Sequence, residues 1–201
     1  FHGQTVYHNP TARRTIQLGN GMMLAQITGI DTVYDFRQAD MEAGGEGAPL
    51  APIYHQMLAT DAGLFLPVLF LNLGGVANIS LIEQGRLTGC DIGPANGLID
   101  EYCQTRLGVS FDMDGARAAT GIIDHSFVEQ ALQHPFFTTV GPRSLDRATF
   151  ADLLDDPRIA NAPAEDALAS LTEVTARAVQ LYIELSGTAL TQLILSGGGT
   201  K

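Results

Sequence analysis

The spacing of apolar and polar residues at the start of the chain predicts two short strands followed by a helix. Residues 1–8 and 15–19 have the pattern of strands and are joined through an Asn-Pro turn. Asn20 is a residue type that caps helices, and Gly29 is one that ends them in a left-handed conformation. We therefore predict a helix over residues 21–28.

A third strand is predicted over residues 30–36, and it would deliver Arg37 to its end. A guanidinium at that place could make bidentate bonds to a carboxylate or a phosphate. The alternative, which the spacing alone favours, is a surface ion pair with Asp35 or Asp40. Residues 42–52 follow, and their glycine and proline content predicts a loop.

From Leu64 onward the pattern changes to three apolar strands separated by turn residues. They cover residues 64–75, 76–85 and 86–93. Gly74 and Gly75 permit a positive φ at the first turn, and such short connections predict an antiparallel meander. We place a domain boundary near residues 58–64, with residues 1–60 in one domain and residues 61–201 in another.

Helices dominate the pattern after the third of these strands. Asn96 is a good N-cap for a helix that Gly108 would end. Further helices are predicted over residues 124–135, 146–156 and 165–186. The last of these has one apolar stripe along its length, and residues 190–196 then predict a buried strand. Strands followed by helices indicate an α/β architecture, a mixed sheet with flanking helices.

The acidic balance of the chain argues against a nucleic-acid partner. Lys and Arg number 11 against 22 Asp and Glu, which gives a formal net charge of −11. Affinity for a phosphate backbone depends on clustered basic residues. A locally basic pocket for a small anion is compatible with this charge.

The cysteine content indicates a reducing compartment. Cys90 and Cys103 cannot build a disulfide framework, and no metal-ligand spacing surrounds them. We therefore expect reduced thiols and a cytoplasmic protein. The apolar run over residues 64–73 is too short to span a bilayer and contains a proline, so no membrane partner is expected. No signal-peptide pattern is visible, and both ends of the sequence look cut.

Asp91 is the first candidate for chemistry. It lies at the carboxyl end of the third apolar strand, where ligands usually bind in α/β sheets. The helix after Asn96 would direct its N-terminal amides to the same crevice, which suits a phosphate or a developing oxyanion. The alternative is a carboxylate that only satisfies turn amides. The pattern by itself favours the functional and the purely structural role of Asp91 about equally.

Two glycine clusters are candidates for phosphate or nucleotide contacts. Gly74 and Gly75, with Asn78 close behind, would let a phosphate approach backbone N–H groups, although tight hairpins use the same residues. The glycines at 197–199 follow a strand and permit close approach by a flat ligand. A strand-to-helix turn, however, needs only one of them.

The remaining polar residues carry weaker signals. His2, Gln4 and Thr5 offer polar groups on a short strand. The other histidines, at positions 8, 55, 125 and 134, show no ligand spacing and are interpreted as structural or surface residues. Neither the nucleophile motif GxSxG nor a phosphate-loop signature ending in Lys-Ser/Thr is present.

Seven segments occur along the chain in an order that is typical of one family. They are FHGQTV, TIQLGNGMMLAQITGI, DFRQADMEAGGEGAPLAP, LNLGGVANIS, DIGPANGLID, DMDGARAATG and SGGG. Together they resemble the anhydro-N-acetylmuramic acid kinases of the actin-like, sugar-kinase and Hsp70 superfamily. The resemblance implies an actin-like ATPase (ribonuclease H-like) fold in a two-domain kinase. Residues 1–60 would lie on the sugar side and residues 61–201 on the nucleotide side.

The chemistry that this resemblance implies is a coupled hydrolysis and phosphorylation. The family opens the 1,6-anhydro ring of anhydro-N-acetylmuramic acid with water and transfers the γ-phosphate of ATP to O6. The product, N-acetylmuramic acid 6-phosphate, re-enters cell-wall (peptidoglycan) recycling. The small sugar and ATP are therefore the expected partners. Mg²⁺ is expected with ATP because phosphoryl transfer needs its charge neutralised. The metal ligands stay unassigned.

The resemblance also assigns roles to individual residues. Asp91 matches the Asp of the family's D-x-G-P-x-N motif, the base that deprotonates the attacking water. The residues that match the family's sugar pocket are His2, Gln4, Thr5, Arg37, Gly93 and Asn96. Those that match its nucleotide contacts are Gly74, Gly75, Asn78, Gly197, Gly198 and Gly199. In this assignment Arg37 pairs with the lactyl carboxylate of the sugar.

Some features depart from the family's pattern. We expect its glycine-rich phosphate loop to precede Phe1 and the rest of its second domain to follow Lys201. We therefore expect no phosphorylation by the 201 residues alone. Arg143 and Asp146 stand where the family more often has Lys and Gly.

The sequence is compatible with two other functions and with a homodimer. The chain could be a non-catalytic module that binds a sugar or a nucleotide. It could also be a kinase of the same superfamily that acts on another sugar. A homodimer is compatible with the sequence but is not specified by it.

Overall fold

The computed structural model describes residues 1–138, 143–145 and 147–200. Contacts divide the chain into two compact units, Phe1–Ala51 and Pro52–Lys201. The division falls earlier than the change of pattern near residues 58–64, and a helix that begins at Ala51 accounts for the difference. The assignment of the two parts to a sugar-side and a nucleotide-side domain stays a prediction.

The first unit contains an antiparallel hairpin and two helices. Its elements are β1 (Gln4–Asn9), β2 (Arg14–Leu18), α1 (Gly21–Thr28) and α2 (Phe36–Glu42). The predicted start and end of α1 are confirmed. Asn20 Oδ1 accepts a hydrogen bond from the Met23 amide at 2.9 Å, and Gly29 has φ 67°. The loop predicted over residues 42–52 is confirmed from residue 43 to residue 50, because α2 ends at Glu42 and the next helix begins at Ala51.

The strand predicted over residues 30–36 is wrong. Residues 31–35 have no regular structure, and α2 begins at Phe36. A strand needs a hydrogen-bonding neighbour as well as β-branched residues, and the Val33 carbonyl accepts instead from the amino group of Phe1 at 2.6 Å. Asp35 then takes the left-handed backbone conformation, with φ 61°. Arg37 consequently lies in the first turn of a helix.

The second unit is built on a four-stranded mixed sheet with helices on its two faces. Its elements are α3 (Ala51–Asp61), β3 (Val68–Leu73), β4 (Val76–Glu83), β5 (Arg86–Pro94), α4 (Asn96–Tyr102), α5 (His125–Ala131), α6 (Pro157–Ala160), α7 (Ala164–Ser186) and β6 (Gln192–Ser196). The strand order is β5-β4-β3-β6. The predicted antiparallel meander is confirmed, and β6 pairs in parallel with β3.

Apolar residues alternate between the two faces of this sheet, so each face has its own core. On one face Cys90 and Ile92 are buried with Tyr182 of α7. On the other face Ala59 of α3 packs with Val68 and Ile82, among neighbours that include Phe70. His55 of α3 also lies on this second face, with Nδ1 2.8 Å from the Ser80 hydroxyl. These contacts hold α3 to the second unit.

The prediction that residues 190–196 form a buried strand is only half right. β6 is a strand, but Leu193 and Leu195 are 44% and 51% exposed. β6 lies at the edge of the sheet, and within the described residues these two leucines fall outside the apolar cluster that α7 forms. The apolar stripe of α7 is confirmed at Leu168, Leu171, Val174 and Ala178, all buried. Leu185, at its end, is 45% exposed.

Several short helical turns connect the longer elements. α4 continues into a π-helical turn, Cys103–Leu107, and ends as predicted at Gly108, which has φ 68°. The 3₁₀ turns are Met113–Gly115, Ala118–Thr120, Pro135–Thr138, Arg147–Asp155 and Gly198–Thr200. The helix predicted over residues 146–156 is therefore a 3₁₀ segment, and Asp146 lies outside the described residues. Of the helices described, none has both the length and the apolar character needed to cross a bilayer.

Gly121 allows the turn after Ala118–Thr120 to pack against the start of α7. A Cβ at Gly121 would overlap the Glu165 carbonyl and lie 2.8 Å from the Asp166 amide nitrogen. We predict that Gly121→Ala lowers the free energy of unfolding by about 1–3 kcal/mol, because backbone atoms would have to move. Denaturant unfolding checks this. Ala116→Ser, at an exposed position of the same segment, is the control, and equal stability of the two variants would contradict the prediction.

Candidate functional site

Asp91 lies three residues before the carboxyl end of β5, as the sequence predicts. Asn78 of β4 opposes Asp91 and Ala77 opposes Gly93, so Ile92 is an extra residue that forms a β-bulge. Bulges redirect side chains next to functional sites. Cys90 and Ile92 are buried on the α7 face, which leaves the partly buried Asp91 on the opposite face.

The segment at residues 143–145 holds the Asp91 carboxylate from the edge of the sheet. Asp91 Oδ2 accepts a hydrogen bond from the Leu145 amide at 2.7 Å, and the Ser144 hydroxyl also bonds to the carboxylate. The backbone is tied to the same segment, because the Asp91 amide donates to the Arg143 carbonyl at 2.9 Å. These contacts fix both the position and the orientation of the carboxylate.

Burial raises the pKa of Asp91 above its ordinary value. The Leu145 amide, the Ser144 hydroxyl and the charge of Arg143 oppose this effect, since each favours the ionised form. Burial is the larger effect, so the carboxylate binds a proton more strongly than a solvated Asp. This property suits a group that must take a proton from water near neutral pH.

Polar side chains continue from Asp91 in one row across the sheet. The strand registers place Asp91 opposite Asn78, Asn78 opposite Asn72, and Asn72 opposite Ser196. Their sequence neighbours on β3, β4 and β5 belong to the α7 core, so the row lies on the other face. Sequence reasoning missed Asn72 and Ser196, because only the register of four strands brings them into line with Asp91.

Asn72 lies between the two glycine turns that the sequence singled out. A Cβ at Gly74 would lie 3.2 Å from Asn72 Nδ2, and a Cβ at Gly197 would lie 2.8 Å from Asn72 Oδ1. Gly197 has φ 91°, and its Cβ would also lie 2.5 Å from the Leu73 carbonyl oxygen. The chain's own close packing therefore requires glycine there, independently of any ligand.

The predictions that Asn96 caps α4 and that the helix start offers its amides to an anion are wrong. The Asn96 and Gly97 amides each donate at 3.0 Å, to the carbonyls of Gly74 and Gly75. The Asn96 side chain donates to the Leu73 carbonyl at 3.3 Å instead of capping its own helix. The helix start is thus bonded to the β3–β4 turn, an arrangement that local sequence cannot reveal.

Gly93 permits close packing of α7 on β5. A Cβ at Gly93 would lie 2.9 Å from Ala178 Cβ and 3.2 Å from the Phe137 ring. Gly93 is buried at this contact. Its predicted contact with the sugar stays a prediction, as do the phosphate contacts of Gly74, Gly75 and Asn78.

A cleft of about 880 Å³ opens beside the second glycine turn. Asn96, Gly198 and Gly199 line one side of it, Phe111–Gly115 lie on another, and α7 contributes Thr172 and Glu173. Phe111 and Met113 are 50% and 62% exposed. The cleft therefore combines apolar surfaces with polar groups, as ligand sites commonly do.

Four of the predicted sugar-binding residues lie in the first unit, and they form two local groups. The first group contains Arg37 and His2. Arg37 Nη1 donates to the Gly47 carbonyl at 3.0 Å, and Nε lies 3.4 Å from His2 Nε2. The interpretation as an ion pair is wrong for the described residues, because the Asp40 carboxylate accepts from the Gly47 amide at 2.7 Å instead. Burial lowers the pKa of Arg37.

The other two residues lie on β1. Thr5 Oγ1 accepts a hydrogen bond from Gln17 Nε2 at 3.3 Å. Gln4 is exposed, and its side-chain amide lies 3.5 Å from the Thr5 carbonyl oxygen. Their predicted contacts with a sugar stay predictions.

Comparisons with known proteins agree on one family. A sequence model described as "Anhydro-N-acetylmuramic acid kinase" matches residues 1–201. Proteins of that name from Rhodopseudomonas palustris (strain HaA2) and Azorhizobium caulinodans are 41% and 43% identical over all of this chain, which covers 54% and 55% of their lengths. The protein of that name from Zymomonas mobilis is 42% identical over 99% of this chain and 53% of its own length. The chain spans about half the length of these curated relatives.

The hydrogen bond from Ser144 gives a prediction about Asp91. Ser144→Ala removes a donor that favours the ionised carboxylate, so we expect the pKa of Asp91 to rise further. Carboxyl ¹³C NMR titration measures it directly. Ser110→Ala, at another exposed serine, is the control and leaves the pKa of Asp91 unchanged. A pKa that falls or stays constant in Ser144→Ala would show that the hydroxyl does not act on Asp91.

Proposed function

The chain belongs to the anhydro-N-acetylmuramic acid kinase family, and we propose that it forms part of an ATP-dependent enzyme of that activity. The enzyme would open the 1,6-anhydro ring of anhydro-N-acetylmuramic acid with water and phosphorylate O6. The product would be N-acetylmuramic acid 6-phosphate. The mixed sheet with flanking helices is consistent with a nucleotide-binding half of an actin-like, two-domain kinase.

The observation that carries this proposal is the environment of Asp91. Its carboxylate is fixed by the Leu145 amide at 2.7 Å, has a pKa raised by burial, and stands at one end of a polar row. A general base needs a defined position and a proton affinity close to that of its working pH. Asp91 has a defined position, and burial shifts its pKa in the direction that a base requires.

Asp91 would act at the anomeric carbon. As water attacks C1, its proton passes to the Asp91 carboxylate while the C1–O6 bond breaks. The electron pair of that bond stays on O6, which would then attack the γ-phosphorus of ATP while ADP leaves. Asp91 suits these steps for two reasons. Burial raises the pKa of its carboxylate, which makes it a stronger base, and its hydrogen bonds keep it in place.

Arg37 is proposed to bind the lactyl carboxylate of the sugar. Of its nitrogens, Nε and Nη1 have partners among the described residues, which leaves Nη2 for a carboxylate oxygen. A guanidinium with two nitrogens held by the protein presents the third in a fixed direction. His2, Gln4, Thr5, Gly93 and Asn96 are proposed as further sugar contacts on the grounds of the family match.

ATP is proposed to bind in the cleft lined by Gly198 and Gly199. Its volume of about 880 Å³ is of the size that drug-sized and cofactor ligands occupy. The exposed Phe111 and Met113 supply apolar surface for a base. Gly197 shapes the adjoining turn, and Gly74, Gly75 and Asn78 are the proposed phosphate neighbours.

Mg²⁺ is proposed to accompany ATP. Within the described residues no group of three or more His, Cys, Asp or Glu side chains could hold a metal ion. Mg²⁺ is commonly bound through phosphates, waters and only one or two protein oxygens, and Asn72 and Asn78 of the polar row offer such oxygens. When bound, the ion would neutralise charge on the phosphates.

The alternatives lead to different measurements. A non-catalytic binding module would bind the anhydro sugar or ATP without turnover, and a superfamily kinase for another sugar would phosphorylate ordinary hexoses in preference. Comparing anhydro-N-acetylmuramic acid with hexoses as substrates separates these cases. A homodimer stays a proposal, and sedimentation of the full-length protein tests it.

We predict that Asp91→Asn in a full-length kinase containing this sequence lowers kcat by about 10²–10⁴-fold, because the amide cannot accept the proton of water. KM for ATP should change little. Steady-state kinetics with anhydro-N-acetylmuramic acid give both quantities. Asp61→Asn, an exposed carboxylate at the end of α3, is the matched control. A near wild-type rate in Asp91→Asn would remove Asp91 as the base.

We predict that Ala119→Leu raises KM for ATP by roughly tenfold, a loss of about 1.4 kcal/mol, by filling the cleft that Ala119 lines. KM for the sugar should stay the same. Ala116→Leu adds the same side chain at a nearby exposed position that does not line the cleft, so it should leave both constants unchanged. An effect on the sugar alone would place the nucleotide elsewhere.

A further inference from the structure

Arg143 makes contacts that no recognised motif accounts for. Its Nε donates to the Asp91 carbonyl at 3.0 Å, and its Nη1 donates to the Phe136 carbonyl at 2.6 Å. The guanidinium carbon lies 4.3 Å from the centre of the Phe136 ring. One planar group therefore connects the backbone of β5 with the backbone of the Pro135–Thr138 turn.

The backbone of Arg143 strengthens the same connection. The Asp91 amide donates to the Arg143 carbonyl at 2.9 Å, so the amide and the carbonyl of Asp91 both bond to Arg143. Two residues later the Leu145 amide donates to Asp91 Oδ2 at 2.7 Å. Leu145 is itself buried in the α4–α7 core. The segment is thus anchored on both sides of Ser144.

The base depends on this segment for its orientation. A carboxylate on a β-strand can rotate about its side-chain bonds unless donors hold it, and a displacement of about 1 Å can lower a rate by about 10²-fold. The donors here are the Leu145 amide and the Ser144 hydroxyl. Their placement depends on where residues 143–145 lie along β5, which the bonds of Arg143 determine.

We propose that Arg143 is a positioning residue for Asp91: it fixes residues 143–145 along the edge of β5, so that two donors hold the catalytic carboxylate towards the polar row. The proposal rests on the proposed function of Asp91. It also explains why this segment carries a guanidinium, since bonding two separate carbonyl groups needs donors in a fixed fork. A Lys at this position keeps the charge and can bond one of the two carbonyls.

The test is a double-mutant cycle in a full-length kinase that contains this sequence, with kcat measured for Arg143→Met, Asp91→Asn and the pair. Arg143→Met keeps an unbranched apolar stem but removes the guanidinium and its donors. We expect it to lower kcat by about 10- to 100-fold with KM for sugar and ATP unchanged. In the Asp91→Asn background the same change should lower kcat by less than about twofold, because it acts through the carboxylate. Arg143→Lys should recover part of the rate.

The outcomes separate this inference from the function on which it rests. If Asp91→Asn keeps the wild-type rate, the assignment of the base fails. If Asp91→Asn is impaired but Arg143→Met is not, Arg143 has no positioning role. If Arg143→Met lowers kcat equally in both backgrounds, its effect is a general loss of folded enzyme, and the inference is overturned as well.

Discussion

The amides of Asn96 and Gly97 bond to the carbonyls of Gly74 and Gly75, and the arrangement of the candidate site depends on this contact. It joins the start of α4 to the turn between β3 and β4, at the end of the sheet where β5 also finishes. Asn96 adds a side-chain bond to the Leu73 carbonyl. The polar row and the cleft therefore share one rigid junction. Displacing it would separate the proposed base from the proposed nucleotide site.

The same junction shows how far local sequence can predict this structure. The strands of the meander, the Asn20 cap and the Gly108 stop follow from residue type and spacing, and they are confirmed. Asn96 is a residue type that commonly caps helices. Here, however, the first amides of its helix donate to carbonyls of a turn about twenty residues earlier in the chain. Competition from distant backbone groups cannot be read from a local pattern.

The candidate site divides in the same way. The sequence motif is enough to make Asp91 a candidate base. The polar row that continues from it depends on strand register and on the bulge at Ile92. Val33 and Tyr34 favour extended backbone, so the pattern predicts a strand that ends just before Arg37. A left-handed Asp35 then starts a helix. Arg143 was visible only as a departure from family composition, and its two carbonyl partners come from segments that are distant in sequence.

The two thiols of the second unit, Cys90 and Cys103, can report local opening of its structure. Cys90, which precedes Asp91, is 2% exposed, and Cys103, at the π-helical turn, is fully buried. Burial also raises the pKa of the Cys103 thiol, which lowers its reactivity further. An alkylating reagent can reach either sulfur only when the surrounding structure separates. The labelling rates of the two positions would therefore report opening beside the base and opening within the helical core as separate events.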